Sequence, residues 1–270
     1  WCHIIAKEGF GTLVSDSALG FTFARNAREN KLTPWYNDSR SDNNGEMLFL
    51  RVDGKVYDAL NGSRACFSPG QAVYEGRAGA VSFRLTVYVA HELSCKVLEL
   101  EIKGEGAVEA AYYTEPVLGV DRKYAHMITG SWENGCLVLK NPFQTEFPGS
   151  MVLCSNHADT RCCGDRAAFL SGRWDEHTLP PLADPCAALV VKCTHAQQGE
   201  KIRFILSFHE EKEEAMKQAR LAADGCAPLL CETHNQIRIE TPDEGLNHLF
   251  NTWLPQQICG ARIHARTGFY

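Results

Sequence analysis

Residues 81–89 read Val-Ser-Phe-Arg-Leu-Thr-Val-Tyr-Val, with an apolar side chain at every odd position. Successive side chains of a strand point to opposite faces, so this alternation marks a strand with one face buried. Further strand-like runs cover 97–102, 108–113, 136–139, 151–154, 187–193 and 202–208. Between the runs lie Asp53-Gly54, Asn61-Gly62, Gly104-Glu105-Gly106, Asn134-Gly135 and Gln198-Gly199. Asn-Gly and Asp-Gly supply the positive φ that tight hairpin turns need. Many strands, short turns and no alternating helices predict a mainly β chain, an antiparallel sandwich rather than a βαβ sheet.

Two segments break the alternation. Residues 210–223, EEKEEAMKQARLAA, are rich in helix formers and are followed by Gly225, which predicts a short helix with a solvated charged face. In the second, Thr241 is an N-cap candidate, Pro242 suits a first helical position, and Asp243 and Glu244 suit the positive end of the helix dipole. Leu246, Leu249, Phe250, Trp253 and Leu254 then form an apolar stripe at helical spacing, and Pro255 is expected to kink or interrupt it. The stripe suits a helix packing on the sandwich and equally a linker to a further domain. The chain thus divides into a β domain over 1–240 and a helical segment over 241–270.

With 270 residues, a net charge of -6 and a pI near 5.9, the chain is long enough for a large core and lacks the basic face of a general nucleic-acid binder. No run of about 18 apolar residues predicts a membrane helix. The start, Trp1-Cys2-His3-Ile4-Ile5, shows neither a basic leader nor an initiator Met and reads as part of an excised segment. Several of the twelve cysteines, among them Cys95, Cys136, Cys154 and Cys193, sit inside strand-like runs, and there is no CxxC. This pattern predicts reduced, buried thiols in a cytoplasmic protein.

Residues 26–46, NARENKLTPWYNDSRSDNNGE, have no period. Loops longer than about 12–15 residues are uncommon in compact domains and are often functional. A solvated surface loop is the plain reading. Trp35 and Tyr36 beside Arg28, Asn30 and Asp38 also suit a sugar, whose C–H faces stack on rings and whose hydroxyls meet planar polar groups.

The stretches Phe10 to Ser15, Gly20 to Phe23 and especially Asn26-Ala27-Arg28-Glu29-Asn30-Lys31-Leu32-Thr33-Pro34-Trp35-Tyr36-Asn37-Asp38 resemble glycoside hydrolase family 94, formerly glycosyltransferase family 36. The similarity is to the branch of cyclic β-1,2-glucan synthases and 1,2-β-oligoglucan phosphorylases, from whose motif this chain departs at Ala27, Lys31 and Tyr36. Further matches are Glu115 to Arg122, Asn141-Pro142-Phe143, Phe169 to Arg173, Leu249 to Leu254 and Ala265 to Tyr270. The resemblance implies a galactose-mutarotase-like β-supersandwich with a short helix and a C-terminal linker helix leading to an (α/α)6 catalytic barrel. It implies a non-catalytic role in an inverting β-glucan phosphorylase, with the acid in the barrel, inorganic phosphate as co-substrate and no cofactor. The partners implied are a β-glucan oligosaccharide, the barrel of the same polypeptide and a second copy in a homodimer. Arg28, Trp35, Tyr36, Asp38 and Arg122 are the implied sugar-binding residues. The alternatives are a stand-alone carbohydrate-binding module, which an exposed aromatic platform would favour, and a mutarotase-like enzyme, which a His–Glu pair in a concave face would favour.

Other constellations have plainer readings. Cys154, His157, Cys162 and Cys163 match no standard zinc spacing, and neighbouring cysteines on a strand point to opposite faces. Cys193 with His195 and Cys231 with His234 read as chance neighbours. Asp165-Arg166 reads as a surface ion pair, Trp132 as packing near a hairpin end and Trp253 as core.

Overall fold

The computed structural model describes residues 1–35, 45–229 and 237–265. The first strands, β1 (Cys2–Lys7), β2 (Phe10–Ser15) and β3 (Phe21–Ala24), form a three-stranded sheet. β4 (Glu46–Val52) and β5 (Lys55–Asp58) belong to a second sheet, and β6 (Arg64–Ser68), β7 (Gln71–Ala78), β8 (Val81–Val89) and β9 (Cys95–Lys103) to a third. β10 (Val108–Thr114) returns to the second, and β11 (Thr129–Glu133), β12 (Cys136–Lys140) and β13 (Ser150–Ser155) to the third. β14 (Arg161–Asp165) and β15 (Pro185–Cys193) complete a five-stranded sheet, order β14-β15-β10-β4-β5. β16 (Glu200–His209) completes an eight-stranded sheet, order β11-β12-β13-β16-β9-β8-β7-β6. The named pairings are antiparallel, so the predicted antiparallel sandwich is the observed fold.

The alternation seen in 81–89 shows why two sheets face one another. Val81, Phe83, Leu85, Val87 and Val89 are buried, and Leu85 and Val87 meet Leu48, Leu50, Tyr112 and Leu189 from the five-stranded sheet in one interlayer core. The outer face of the large sheet is covered by α2 (Lys212–Asp224), whose Ala215, Met216, Ala219, Ala222 and Ala223 pack on Val97, Val138, Val152 and Ile205. The short α1 (Arg166–Leu170) and Trp174 cover the outer face of the small one. Gly20 marks a close approach: its φ is +67, and a side chain there would stand 1.7 Å from the Leu13 carbonyl oxygen.

The C-terminal helical run starts later than expected. Asp243, not Thr241, caps α3 (Glu244–His248), its carboxylate accepting from the Leu246 amide at 3.1 Å, while Thr241 bonds the Asp243 amide and Asn247. The interruption expected at Pro255 falls just before it: residues Leu249–Trp253 form a π-turn, and Pro255 itself sits in the first turn of α4 (Leu254–Ala265). A proline lacks the N–H and crowds the carbonyl four residues back, and a wider turn relieves both. α4 docks on β1. The His3 ring stacks between Phe67 at 5.4 Å and Trp253 at 5.1 Å, with Gln257 Nε2 2.9 Å from its Nδ1. Leu246, Leu249, Phe250 and Ile258 stay exposed.

Burial holds the His3 imidazole below its ordinary value of 6.5. The folded form prefers the neutral ring, so its contribution is full above about pH 6.5 and is lost as acid protonates the unfolded chain first. The melting temperature should fall from pH 7 to 5 more steeply in the wild type than in His3→Phe. Equal slopes by scanning calorimetry would show that this histidine does not couple helix docking to pH.

Candidate functional site

The 26–38 motif leaves β3 through Arg25, whose φ is 64. Asn26 Oδ1 then accepts from the amides of Arg28 at 2.9 Å and Glu29 at 2.8 Å, an Asx turn, and Asn30 Nδ2 donates to the Ala24 carbonyl at 3.0 Å. The motif's polar residues thus build its backbone. Leu32 is fully buried in the interlayer core.

Thr33 is buried too, in a sealed polar network. Its hydroxyl accepts from the Thr22 amide at 2.8 Å and donates to Glu46 Oε1 at 2.6 Å, which Thr22 Oγ1 also reaches at 2.6 Å. Glu46 Oε2 accepts from Lys96 Nζ at 2.6 Å and Tyr112 Oη at 2.7 Å, and Lys96 also donates to the Leu19 carbonyl at 2.8 Å. Burial pulls the Lys96 ammonium below its usual range, against the opposing pull of Glu46. Thr33 and Glu46 thereby fix both ends of the segment between them.

Two other segments meet the motif. Leu118 takes a left-handed φ of 45, a conformation costing a non-glycine residue about 1–2 kcal/mol. Contacts on every side hold it: its side chain is in the core, the Asn141 amide donates to its carbonyl at 3.0 Å, and the next residue, Gly119, exchanges backbone bonds with Lys31 at 2.9 and 3.0 Å. Lys31 Nζ reaches the Val120 carbonyl at 3.1 Å, and Gln144 Nε2 donates to the Glu29 carbonyl at 2.9 Å. Residues 26–35, 115–122 and 141–144 therefore form one laced surface. It presents Val120, Tyr124 and Phe143, which is 68 % exposed, and Lys123 Nζ lies 4.9 Å from the centre of the Tyr124 ring. Tyr124 and Phe143 were not singled out as site residues in the sequence; the Asn-Pro-Phe at 141–143 was the available signal.

The expected sugar-binding residues fall in different settings. Arg28 is open, its side chain 63 % exposed and, among the described residues, paired with neighbouring Glu29 at 3.2 Å. Trp35 is half-buried and stacks on Phe21 at 5.4 Å, part of a small cluster with Leu13, Phe23 and Ala27. Tyr36 and Asp38 lie outside the described residues. Arg122 is enclosed: Nε lies 2.6 Å from Glu115 Oε2, Nη1 donates to Asp184 Oδ1 at 2.8 Å and Nη2 to the Pro185 carbonyl at 3.0 Å. Glu115 also accepts from Tyr113 Oη and Arg166 Nε, each at 2.7 Å. Hydrogen bonding to Glu115 raises the Arg166 guanidinium further above its already high range. The expected Asp165–Arg166 surface pair is replaced by two separate jobs, since Asp165 caps α1 through the Ala168 amide at 2.9 Å.

Elsewhere, an open cleft of 670 Å³ is lined by Arg51, Glu109, Arg161, Asp175 and Lys192. Arg51 and Arg161 pair there with Glu109 and Asp175, and the Arg51 guanidinium stands 4.6 Å from the centre of the Trp174 ring. His157 Nε2 stands 3.6 Å from Glu200 Oε1 where Glu200 opens β16, and Glu200 also accepts from the His195 amide at 2.8 Å. Cys154, Cys162 and Cys163 enter three different apolar clusters, and no group of three metal-ligating side chains occurs among the described residues. Cys231 and His234 lie outside them. No helix among the described residues is long and apolar enough to cross a membrane.

Residues 1–224 match the model of the glycosyl hydrolase 94 supersandwich domain. The chain is 28 % identical over 310 aligned residues to the cyclic beta-(1,2)-glucan synthase NdvB of Rhizobium meliloti (strain 1021), with all of this chain and 11 % of that protein covered. It thus spans about a tenth of that relative's length. A bacterial glucoamylase complexed with acarbose shares the fold, with a TM-score of 0.56 at 12 % identity over 80 % of this chain and 32 % of that one. Sheets, motif and family match agree: this chain belongs to glycosyl hydrolase family 94, and residues 1–224 are its supersandwich domain.

Proposed function

We propose that this supersandwich is a non-catalytic domain of an inverting β-glucan phosphorylase and walls the acceptor-sugar side of its site. The observation that carries the reading is the convergence of residues 26–35, 115–122 and 141–144 on one surface with open Arg28 and exposed Phe143. Planar cations and exposed rings suit hydroxyl edges and C–H faces. The similarity to a cyclic beta-(1,2)-glucan synthase supports β-1,2-linked glucose as substrate.

Inverting phosphorolysis needs one acid to protonate the leaving oxygen, while inorganic phosphate takes the place of the water and its base. Neither buried carboxylate beside the surface suits that step. Glu46 is sealed in the core, and Glu115 accepts from the Arg166 guanidinium and the Tyr113 phenol and is ion-paired with Arg122. On this reading the acid lies, as the family resemblance implies, in a catalytic barrel of the same polypeptide, with the helical run from α3 to α4 as the start of the linker toward it. The exposed stripe of Leu246, Leu249, Phe250 and Ile258 suits contact with that barrel. A homodimer and a cytoplasmic location complete the reading. Within it Arg122 is a positioning residue, holding the Leu118 to Asp121 turn through Glu115 and Asp184.

Arg28→Ala in the complete enzyme tests the assignment. The side chain is exposed, so its loss should change stability by no more than about 0.5 kcal/mol. The acceptor KM should rise, or kcat/KM fall, roughly ten- to a hundredfold. Unchanged acceptor kinetics with an intact fold would remove the sugar-facing role.

A further inference from the structure

Cys95, Cys136 and Cys154 lie in one apolar layer between the eight-stranded sheet and α2, with Cys226 at its edge. Cys136 opens β12 and stands directly opposite Cys154 on β13, both side chains on the α2 face. Opposed residues of an antiparallel pair have Cα atoms about 4.5 or 5.5 Å apart, depending on the ladder position. Both values fall inside the roughly 4.4–6.8 Å that a disulfide spans. Their Cβ atoms, about 4.5–5.5 Å apart, need to close only by around an ångström. Both are free thiols in the structure.

The surroundings single out one of the two as the attacking sulfur. Cys136 directly follows the Asn134-Gly135 turn, and the exposed Arg220 of α2 donates to the Asn134 carbonyl at 3.1 Å. The bond from Cys154 and the nearby Arg220 guanidinium pull the Cys136 thiol below its ordinary range against its burial. The same contact pushes Cys154 up. Both sulfurs are buried beneath α2, which meets the sheet through Ala215, Met216, Ala219, Ala222 and Ala223, so access to them requires local opening of this helix.

We propose that Cys136 and Cys154 are a peroxide-sensitive dithiol that closes to a cross-strand disulfide. The Cys136 thiolate attacks one oxygen of hydrogen peroxide, breaking the O–O bond to give a sulfenic acid and hydroxide. The hydroxide takes up the proton that Cys136 released. The Cys154 sulfur then attacks the sulfenic sulfur, the S–O bond breaks, and the hydroxyl leaves as water with the Cys154 proton. Two thiols are oxidised by two electrons, and one peroxide is reduced to two waters.

The test treats the folded chain with graded hydrogen peroxide, alkylates it, and digests it without reductant. The expected result is a Cys136–Cys154 linked peptide lacking two hydrogens, formed at doses that leave Cys95 and Cys193 alkylated. Arg220→Gln should slow its appearance roughly three- to tenfold, and Cys154→Ala should leave Cys136 as a sulfenic acid trapped by dimedone. Mapping the unmutated chain stands by itself if the alanine variant fails to fold. Recovery of both cysteines as alkylated thiols, while exposed Cys2, Cys66 and Cys259 oxidise, would overturn the proposal. Equal linkage in urea-unfolded chain would overturn it too, and an unchanged rate in Arg220→Gln would overturn Cys136 as the attacking thiol.

Discussion

Lys96→Met should cost the folded chain about 3–5 kcal/mol, a hundred- to several-thousandfold shift in the folding equilibrium. Lys96 and Glu46 are both fully buried and 2.6 Å apart. Removing the ammonium leaves a carboxylate in the core with Tyr112, Thr22 and Thr33 as its donors among the described residues. The desolvation penalty of the charge is then no longer offset. Adding Glu46→Gln should recover much of the loss, because an amide is cheaper to bury than an unpaired charge. Urea midpoints at constant m-value would measure both effects. A loss under about 1 kcal/mol in the single variant would show that the pair is stabilising no more than an apolar replacement.

Glu115→Ala should cost about 3 kcal/mol, near the low end for breaking a buried pair. The side chain is 5 % exposed and serves Arg122, Arg166 and Tyr113 together. Both guanidinium groups keep Asp184 within reach, which limits the penalty. Tyr113 Oη, however, loses its listener in the core, and the Leu118 turn loses the anchor on Arg122. The functional consequence under the proposed role is a raised acceptor KM, because a left-handed Leu118 persists only while its surroundings over-determine it. Hydrogen exchange at Gly119 and Lys31 should speed up in parallel, since their mutual bonds span the loosened turn. Full protection of both amides in Glu115→Ala would separate the turn from the ion-pair cluster.

Much of the frame was legible in the residues. The 81–89 alternation and the 202–208 run became β8 and β16, and the Asn134-Gly135 turn joins β11 to β12 as a hairpin. Helix α2 begins two residues later than the helical composition suggested, at Lys212. The first, three-stranded sheet was less visible, because β2 and β3 are buried on both faces and so show no alternation. The 26–35 stretch misled in another way. Polarity marked it as a surface loop, yet Asn30, Leu32 and Thr33 are fully buried. Asn30 Nδ2 is taken up by the Ala24 carbonyl and the Thr33 hydroxyl by Glu46, partners that no local pattern reveals. Arg122 finds its carboxylate partners at positions 115 and 184, which follow β10 and precede β15 and are brought together by the pairing of those two strands.

The clamping of Thr33 and Glu46 to one buried hub has a consequence for how such a domain changes over time. Bringing the ends of a loop together is an entropic cost that grows only slowly with its length. Here that cost is met by side chains lying outside the segment between them, on β3, β9 and β10. Residues between the two anchors can therefore be lengthened, shortened or rewritten while the sandwich keeps its stability. The scaffold works like a tool handle with a fixed socket, in which new tips can be seated one after another. Replacing the segment between Thr33 and Glu46 with the corresponding one of a relative should leave the urea midpoint unchanged, which tests that independence.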